Sequence, residues 1–336
     1  MLEFGYKVTA QHQNIDRHEI SMGPRLSLEP MKKADKVKLA LETYGRGENV
    51  LNALRQDKCG NDDEAVLLSY ELQAGTYTQL YDGILQTFLN EYSEEVAAVL
   101  DALPNFKSLL EVGVGEANLI NKVGEKIDPR NKIDKFGFDI SWSRVRFALQ
   151  NSKLAGNSIN LFVANLFEIP LPDNSVDVVY SNHSLESNGG REKEMLLEMF
   201  RVARQRIVLL EPDYESASPE GKARMEQFGY VRDLKAHSID LGFLVVDDRP
   251  FAQEARKLHP TGLVTPTRLT VIEKLSNHAN AATLVCPATR SNLTRYKDCF
   301  FSDKSHLIFP IINEIPILLS STAIIGSQFG VFNHPV

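Results

Sequence analysis

Leu109-Leu110-Glu111-Val112-Gly113-Val114-Gly115-Glu116 decides the fold. A short apolar run passes into Gly-x-Gly, and Glu116 to Lys126 then reads as a helix. Such a strand–turn–helix unit lets a ligand approach the backbone closely at the carboxyl edge of a sheet. A dinucleotide site wants a third glycine three residues on, but that position is Asn118, and Glu116 turns negative charge toward any phosphate. The turn therefore suits a cationic ligand better than a diphosphate, and Glu111 at the strand's end adds further negative charge. An NAD-dependent oxidoreductase is disfavoured on the same two residues.

Outward from this turn, KFGFDI (Lys135 to Ile140), INLFVAN (Ile159 to Asn165), VDVVYSN (Val176 to Asn182) and RIVLLEP (Arg206 to Pro212) read as strands. Each is a continuous apolar run followed by a helix or loop, the pattern of a parallel sheet buried on both faces. Ser141 is a helix cap, Arg191 to Ala203 reads as a helix, and Ser218-Pro219-Glu220 starts another. GFLVVDD and LTVIEKL (Leu269 to Leu275) supply a late strand pair. Residues 107–277 are thus expected to form one doubly wound, Rossmann-like α/β domain. Residues 1–106 show no strand alternation; Lys32 to Arg55 and Asp63 to Leu103 read as helical, with Ser93 starting a further helix. They are expected to form a helical cap or lid, preceded by an arm or loop of about thirty residues. Residues 278–336 switch to short β-like runs, TLVCPATRSNL and HLIFPIINEIPILL, and are expected to form a small β-rich domain docked on the larger one.

Composition narrows the class. The chain has 336 residues, 43% hydrophobic and 24% charged, which excludes a disordered or fibrous protein. Lys and Arg number 37 against 44 Asp and Glu, a net charge of −7 that argues against nucleic acid as partner. Cys59, Cys286 and Cys299 are too few and scattered for a disulfide framework. The N-terminus lacks a secretory pattern, and Pro310, Glu314 and Pro316 break the apolar stretch from Leu307 to Phe332, so no membrane span is expected. The expectation is a cytoplasmic chain.

Two further strand ends carry ligand chemistry. Asp139 closes the second strand, where an acidic side chain can take both hydroxyls of a ribose. Asn165 closes the third, where its side-chain oxygen can accept from an adenine amino group while the Leu166 backbone N–H meets a ring nitrogen.

The ordered set EVGVGE, FGFDIS, VANLFEIPLPDNSVDVVYSN and RIVLLEP resembles the class I S-adenosylmethionine-dependent methyltransferases, most nearly the ubiquinone/menaquinone-biosynthesis-type branch. The resemblance covers about half the chain and implies a seven-stranded sheet with S-adenosyl-L-methionine as cofactor. Glu111, Gly113 and Gly115 would flank the cofactor's amino-acid part, Asp139 its ribose, and Asn165 with Leu166 its adenine. The adenine position is more often Asp in that family, and here it is Asn165.

Methyl transfer from a sulfonium needs an aligned nucleophile, exclusion of water and, for a hydroxyl acceptor, a base. The segment after the fourth strand, Ser181 to Arg191, contains no Asn/Asp-Pro-Pro-aromatic quartet, which argues against amino-group methylation by that route. His183 is the general-base candidate, because its ordinary pKa lies near operating pH. Glu211 and Asp213 follow as catalytic candidates, with Tyr214 and Arg191 as substrate-binding candidates. A loop-fixing or packing role is the ordinary alternative for each.

LVCPATRSNL with IFPIINEIPILL resembles the small family that activates tRNA, ribosomal and release-factor methyltransferases as a separate subunit, here fused to its catalytic domain. A zinc site often begins Cys-x₂-Cys, whereas this sequence reads Cys286-Pro287-Ala288-Thr289, so no metal is expected. The leading functional expectation is O-methylation of a small metabolite or a sugar or glycan intermediate. The alternatives are a tRNA or protein methyltransferase with a fused activator, which would need a basic patch such as Arg144, Arg146, Lys153, Arg224, Arg232 and Lys235, or a protein that holds the cofactor without turnover. The oligomeric state stays open, a dimer included.

Overall fold

The computed structural model describes residues 31–55, 61–130, 132–259, 265–274, 276 and 278–335. The arm expected over the first thirty residues, Cys59 and the terminal Leu275 of LTVIEKL lie outside the described residues.

Five helices precede the sheet: α1 (Lys33–Gly45), α2 (Val50–Leu54), α3 (Asp63–Leu72), α4 (Thr76–Asp82) and α5 (Gln86–Asp101). The two long helical stretches of the sequence are thus cut into shorter pieces, and the cuts fall near glycines. At Gly75 the chain turns through φ +89°, and a Cβ there would stand 2.8 Å from the Phe147 ring, so only glycine fits. Ser93 starts no helix. It lies inside α5, where its hydroxyl donates to the Asn90 carbonyl at 2.8 Å. A serine in mid-helix satisfies itself on the preceding turn, so an acidic stretch after it is no proof of a start. Leu89, Tyr92, Val96, Ala97 and Leu100 form the buried stripe of α5.

The central layer follows as β1 (Ser108–Val112), α6 (Asn118–Ile127), β2 (Asp134–Asp139), α7 (Trp142–Ala155), β3 (Ile159–Ala164), β4 (Val176–Asn182), α8 (Glu192–Val202), β5 (Ala203–Pro212), α9 (Pro219–Phe228), α10 (Leu234–Asp240), β6 (Leu244–Phe251), α11 (Gln253–Lys257) and β7 (Thr267–Glu273). In space the strands run β3-β2-β1-β4-β5-β7-β6. All pair in parallel except β7, which is antiparallel to both β5 and β6. This is the expected doubly wound, Rossmann-like sheet. Strand order reverses at β1, where Val112 stands between Phe138 of β2 and Ser181 of β4, and the carboxyl ends of these strands open a crevice.

The C-terminal residues contribute β8 (Thr294–Arg295), β9 (Cys299–Ser302), β10 (Leu307–Ile312), β11 (Ile315–Leu318), β12 (Ile324–Ile325) and α12 (Phe329–Phe332). β10 and β11 form a hairpin whose turn residues, Asn313 and Glu314, both have positive φ, as a two-residue hairpin turn requires. β11 then lies parallel to β3, with Ile317 opposite Val163 and Leu318 opposite Ala164. The sheet therefore continues through the C-terminal strands, and β3 has no free edge along these residues. Cys286, Phe309 and Leu318 belong to the same buried cluster as Leu110, Phe138 and Ile207. The Cys286 sulfur lies 3.4 Å from the Ser305 hydroxyl, and no group of three His, Cys, Asp or Glu able to hold a metal occurs among the described residues. Cutting the chain after Asn277 should expose this cluster and the β3 edge and give insoluble protein on expression; a soluble, fully active truncation would refute the coupling.

No helix among the described residues is long and apolar enough to cross a membrane.

Candidate active site

The turn after β1 is built from left-handed backbone. Gly113 has φ +67°, Gly115 +54° and Ala117 +59°. A Cβ on Gly113 would come 2.3 Å from the Ser184 Cβ, because Ser184 folds back and donates to the Val112 carbonyl at 2.6 Å. The loop after β4 is thereby held against the turn after β1.

Glu116 does not face the crevice as an open charge. Its carboxylate accepts from the Gly75 and Thr78 backbone amides at 2.9 and 2.6 Å, so it caps the start of α4 and ties the helical layer to the turn. The expected repulsion of phosphate by Glu116 is thus spent on a helix cap. Glu111 is buried at the end of β1 and receives the Tyr180 hydroxyl at 2.7 Å. Burial pushes its pKa up to about 8. Asp139 accepts from the Gly115 and Ser141 backbone amides at 3.1 and 2.9 Å, with the Arg144 guanidinium 3.8 Å away. Burial raises the Asp139 pKa against the pull of Arg144.

Two cavities flank this turn and share Gly113, Arg144, Asn182 and His183. One, about 640 Å³ with its mouth, is bounded by Tyr70, Phe138, Asp139, Asn165, Leu166 and Ser184. The other, about 890 Å³ with its mouth, reaches Glu111 and is walled by Tyr77, Tyr81, Phe88 and Tyr92. Arg256 of α11 and His259 just after it line this cavity too.

Asn165 is oriented otherwise than expected. Its side-chain oxygen accepts from the Phe167 amide at 3.0 Å, and its amide nitrogen donates to Asp63 at 2.6 Å. The acceptor oxygen is spent on the local turn, and the carboxylate available at this corner is Asp63 of α3.

His183 sits at φ +48° where the cavities meet, and it is buried. Its Nδ1 lies 3.3 Å from Glu186, and its Nε2 lies 2.6 Å from the Thr267 hydroxyl and 3.1 Å from Arg256 Nη2. Arg256 has only hydrogens to offer, so the satisfied tautomer carries its proton on Nδ1 toward Glu186 and accepts at Nε2. Burial and the neighbouring guanidinium hold the His183 pKa well below the usual histidine range. The reason for choosing it as base, an ordinary pKa near neutrality, does not survive this setting, and its lone pair already has donors.

Glu211, Asp213, Tyr214 and Arg191 line neither cavity. Glu211 accepts from the Ser184 and Leu185 amides at 3.2 and 3.3 Å, and burial lifts its pKa to about 8. Asp213 is buried against Arg268 at 3.3 Å and accepts from the Ser216 amide. The Tyr214 hydroxyl donates to Glu226 on the outer side of α9. Arg191 stacks 3.3 Å over the Phe167 ring and pairs with Asp63 and Glu194. The structure thus gathers Glu111, Gly113, Gly115, Asp139, Asn165, Leu166 and His183 around the two cavities and leaves these four outside them.

Asp63, Arg144, Asn182, the aromatic wall, Arg256 and His259 were not singled out as ligand-facing by sequence reasoning. A signal existed for the wall alone: Tyr77, Tyr81, Phe88 and Tyr92 recur at spacings of four, seven and four.

Residues 110–209 match a family model described as a methyltransferase domain. Among solved structures, a SAM dependent methyltransferase from Aquifex aeolicus is 16% identical, with 60% of this chain and 97% of that chain covered at a TM-score of 0.43. Magnesium protoporphyrin IX methyltransferase from Synechocystis PCC 6803, with bound SAH, is 15% identical, covering 63% and 100% at 0.47. A chain of the complex between the Haloferax volcanii Trm112 methyltransferase activator and a methyltransferase is 16% identical, covering 62% and 98% at 0.47. The segment that carries the turn and the strand ends around it is thus the part of the chain that matches a methyltransferase domain.

Proposed function

We propose that the chain methylates an oxygen of a small acceptor seated in the aromatic cavity, with the cofactor's nucleoside in the cavity beside Asp139. The observation that carries this reading is the meeting of the two cavities at Gly113, Asn182 and His183. A sulfonium at that junction would have its nucleoside on one side and, on the other, its amino-acid part against Glu111 with the acceptor beside it. The residues fit the group. Glu111 is a buried carboxyl whose high pKa marks the lack of a cation beside it. The close-packed turn admits backbone contact, and Asp139 is held rigidly by two amides. When bound, S-adenosylmethionine supplies an electrophilic methyl group. The chain's own residues orient it, exclude water with the α4–α5 aromatic wall, and align the acceptor.

An RNA acceptor draws no support from the residues once grouped as a basic patch. Arg144 is buried in the site, and Lys153, Arg232 and Lys235 pair with Glu314, Glu226 and Asp248. The activator-like reading of the C-terminal residues is supported by the β11–β3 pairing, which covers a sheet edge. Cytoplasmic localisation remains part of the same proposal, resting on the sequence.

Calorimetry tests the cofactor half. S-adenosylhomocysteine should bind and NAD should not. Asp139→Ala should lower the affinity by about 100-fold, the range for removing a charged hydrogen-bonding partner from a buried site. NAD binding with S-adenosylhomocysteine rejected would overturn the assignment.

A further inference from the structure

Among the described residues Arg256 has no carboxylate in contact with its guanidinium, and Glu186 and Asp213 act on it only from farther off. No carboxylate of those residues lies within 4 Å of it, and its Nε hydrogen has no partner although buried. Among the described residues its terminal nitrogens touch only neutral groups: the Thr265 carbonyl, the Thr267 hydroxyl and His183 Nε2. Glu186 stands behind His183, on the far side of the imidazole from Arg256. A half-buried guanidinium facing an aromatic cavity is costly unless an anion joins it. Its depressed pKa, about 10 through burial, states the same imbalance. The other guanidinium of the cavity, Arg144, already has Asp139 and lies over the Tyr70 and Tyr77 rings.

Resting on the methyltransferase reading above, we propose that the acceptor is a small planar carboxylate, aromatic or conjugated, held by Arg256 between the aromatic side chains and methylated on its carboxylate oxygen. Arg256 is 3.1 Å from His183, which lines both cavities, so an anion on Arg256 stands beside their junction. The walls are flat. Phe88 and Tyr92 stack at 5.4 Å between centroids, and His259 meets Phe88 edge-on at 5.3 Å. An aromatic lining of this kind suits a planar ligand.

This acceptor also removes the need for a base, which His183 is not placed to be. The carboxylate arrives without its proton. One oxygen forms the new O–CH₃ bond as the S–CH₃ bond breaks, and the electron pair of that bond goes to sulfur. Anion and sulfonium become neutral ester and neutral thioether, and no proton moves. His183 is a positioning residue here: Glu186 orients its imidazole, and Nε2 holds one edge of the guanidinium.

The test is calorimetry on the full chain saturated with S-adenosylhomocysteine, using cinnamate and its uncharged analogue cinnamamide as probes. Cinnamate should bind and cinnamamide should bind at least about 100-fold more weakly, as expected for losing the partner of a desolvated charge. Arg256→Met should abolish the preference while leaving S-adenosylhomocysteine affinity within about threefold, since the cofactor rests on other residues. His183→Ala should weaken cinnamate binding, and His183→Gln, which keeps an acceptor near the guanidinium, should restore it. Equal binding of the two probes, or no binding of either, overturns the proposal. So does an Arg256→Met protein that loses S-adenosylhomocysteine, which would place Arg256 on the cofactor's own carboxylate. Failure of S-adenosylhomocysteine to bind the unaltered protein would instead sink the reading on which the proposal rests.

Discussion

Gly113→Ala will lose cofactor binding and part of its stability, while Gly156→Ala will lose a little stability and no binding. Both glycines are left-handed, at φ +67° and +71°, so each substitution carries the backbone penalty of about 1–2 kcal/mol. Around Gly156, at the end of α7, nothing lies within 4 Å of an added Cβ. At Gly113 the new methyl would meet the Ser184 Cβ at 2.3 Å. Ser184 cannot step aside freely, since its hydroxyl is bonded to Val112 and its amide to Glu211. Overpacking of this kind adds about 1–3 kcal/mol, so the total loss at Gly113 is about 2–5 kcal/mol. Whichever segment yields, the turn after β1 or the loop after β4, the junction of the two cavities opens. S-adenosylhomocysteine affinity should fall by at least about 100-fold, because geometry at such a turn is what backbone recognition depends on. Denaturant unfolding and calorimetry on the two variants decide it. Equal effects on binding would show that conformational strain, and not the contact with Ser184, is what matters.

The residues proposed to meet the cofactor came together in the sequence reading for a physical reason. Each of them sits at the carboxyl end of a buried parallel strand, and such strands announce themselves as apolar runs that stop abruptly. Val176–Asn182 is observed with the bounds read from the sequence, and Ser141 caps α7 by accepting from the Arg144 amide at 3.1 Å. What stayed illegible depends on contacts between distant segments. Glu116 reads as a free charge until α4, some forty residues earlier, is folded onto it. Asn165 reads as an acceptor until its own turn and Asp63 take both ends of the amide. His183 reads as a base until Arg256, 73 residues away, fills the space at Nε2. The aromatic cavity joins α4 and α5 to α11, some 170 residues apart, and no local spacing records that meeting. The C-terminal strands illustrate the same limit. Their alternation reveals short strands but not that β11 extends the main sheet at β3.

Affinity for S-adenosylhomocysteine should climb with pH between 5.5 and 7, by close to tenfold per unit, and Glu111→Gln should flatten the climb. Without a cation beside it, buried Glu111 holds its proton up to about pH 8. With Glu111 facing the ligand's ammonium group, as proposed, the bound state favours the carboxylate, because an opposite charge in a buried site stabilises the ionised form. Binding then expels one proton wherever free Glu111 is protonated, so raising the pH drives binding forward. Over this window the affinity gain amounts to about 30-fold, and calorimetry in buffers of different ionisation enthalpy should count about one proton released. Asp139, Glu186 and Glu211 are also raised, the last two to about 7 and 8, so the glutamine variant is what isolates Glu111. The stability of the ligand-free protein must run the other way. A carboxyl whose folded pKa lies above its unfolded value keeps a proton that the unfolded chain releases between about pH 4.5 and 8, so stability falls as pH rises through that range. The loss is on the order of a few kcal/mol at most for each buried group, and for Glu111 the ligand should reverse it. A ligand-free Tm that drops from pH 5.5 to 7.5 while the S-adenosylhomocysteine-induced rise in Tm grows would match both signs. An affinity independent of pH, in a protein that still binds, would mean that Glu111 is not the group that meets the cation.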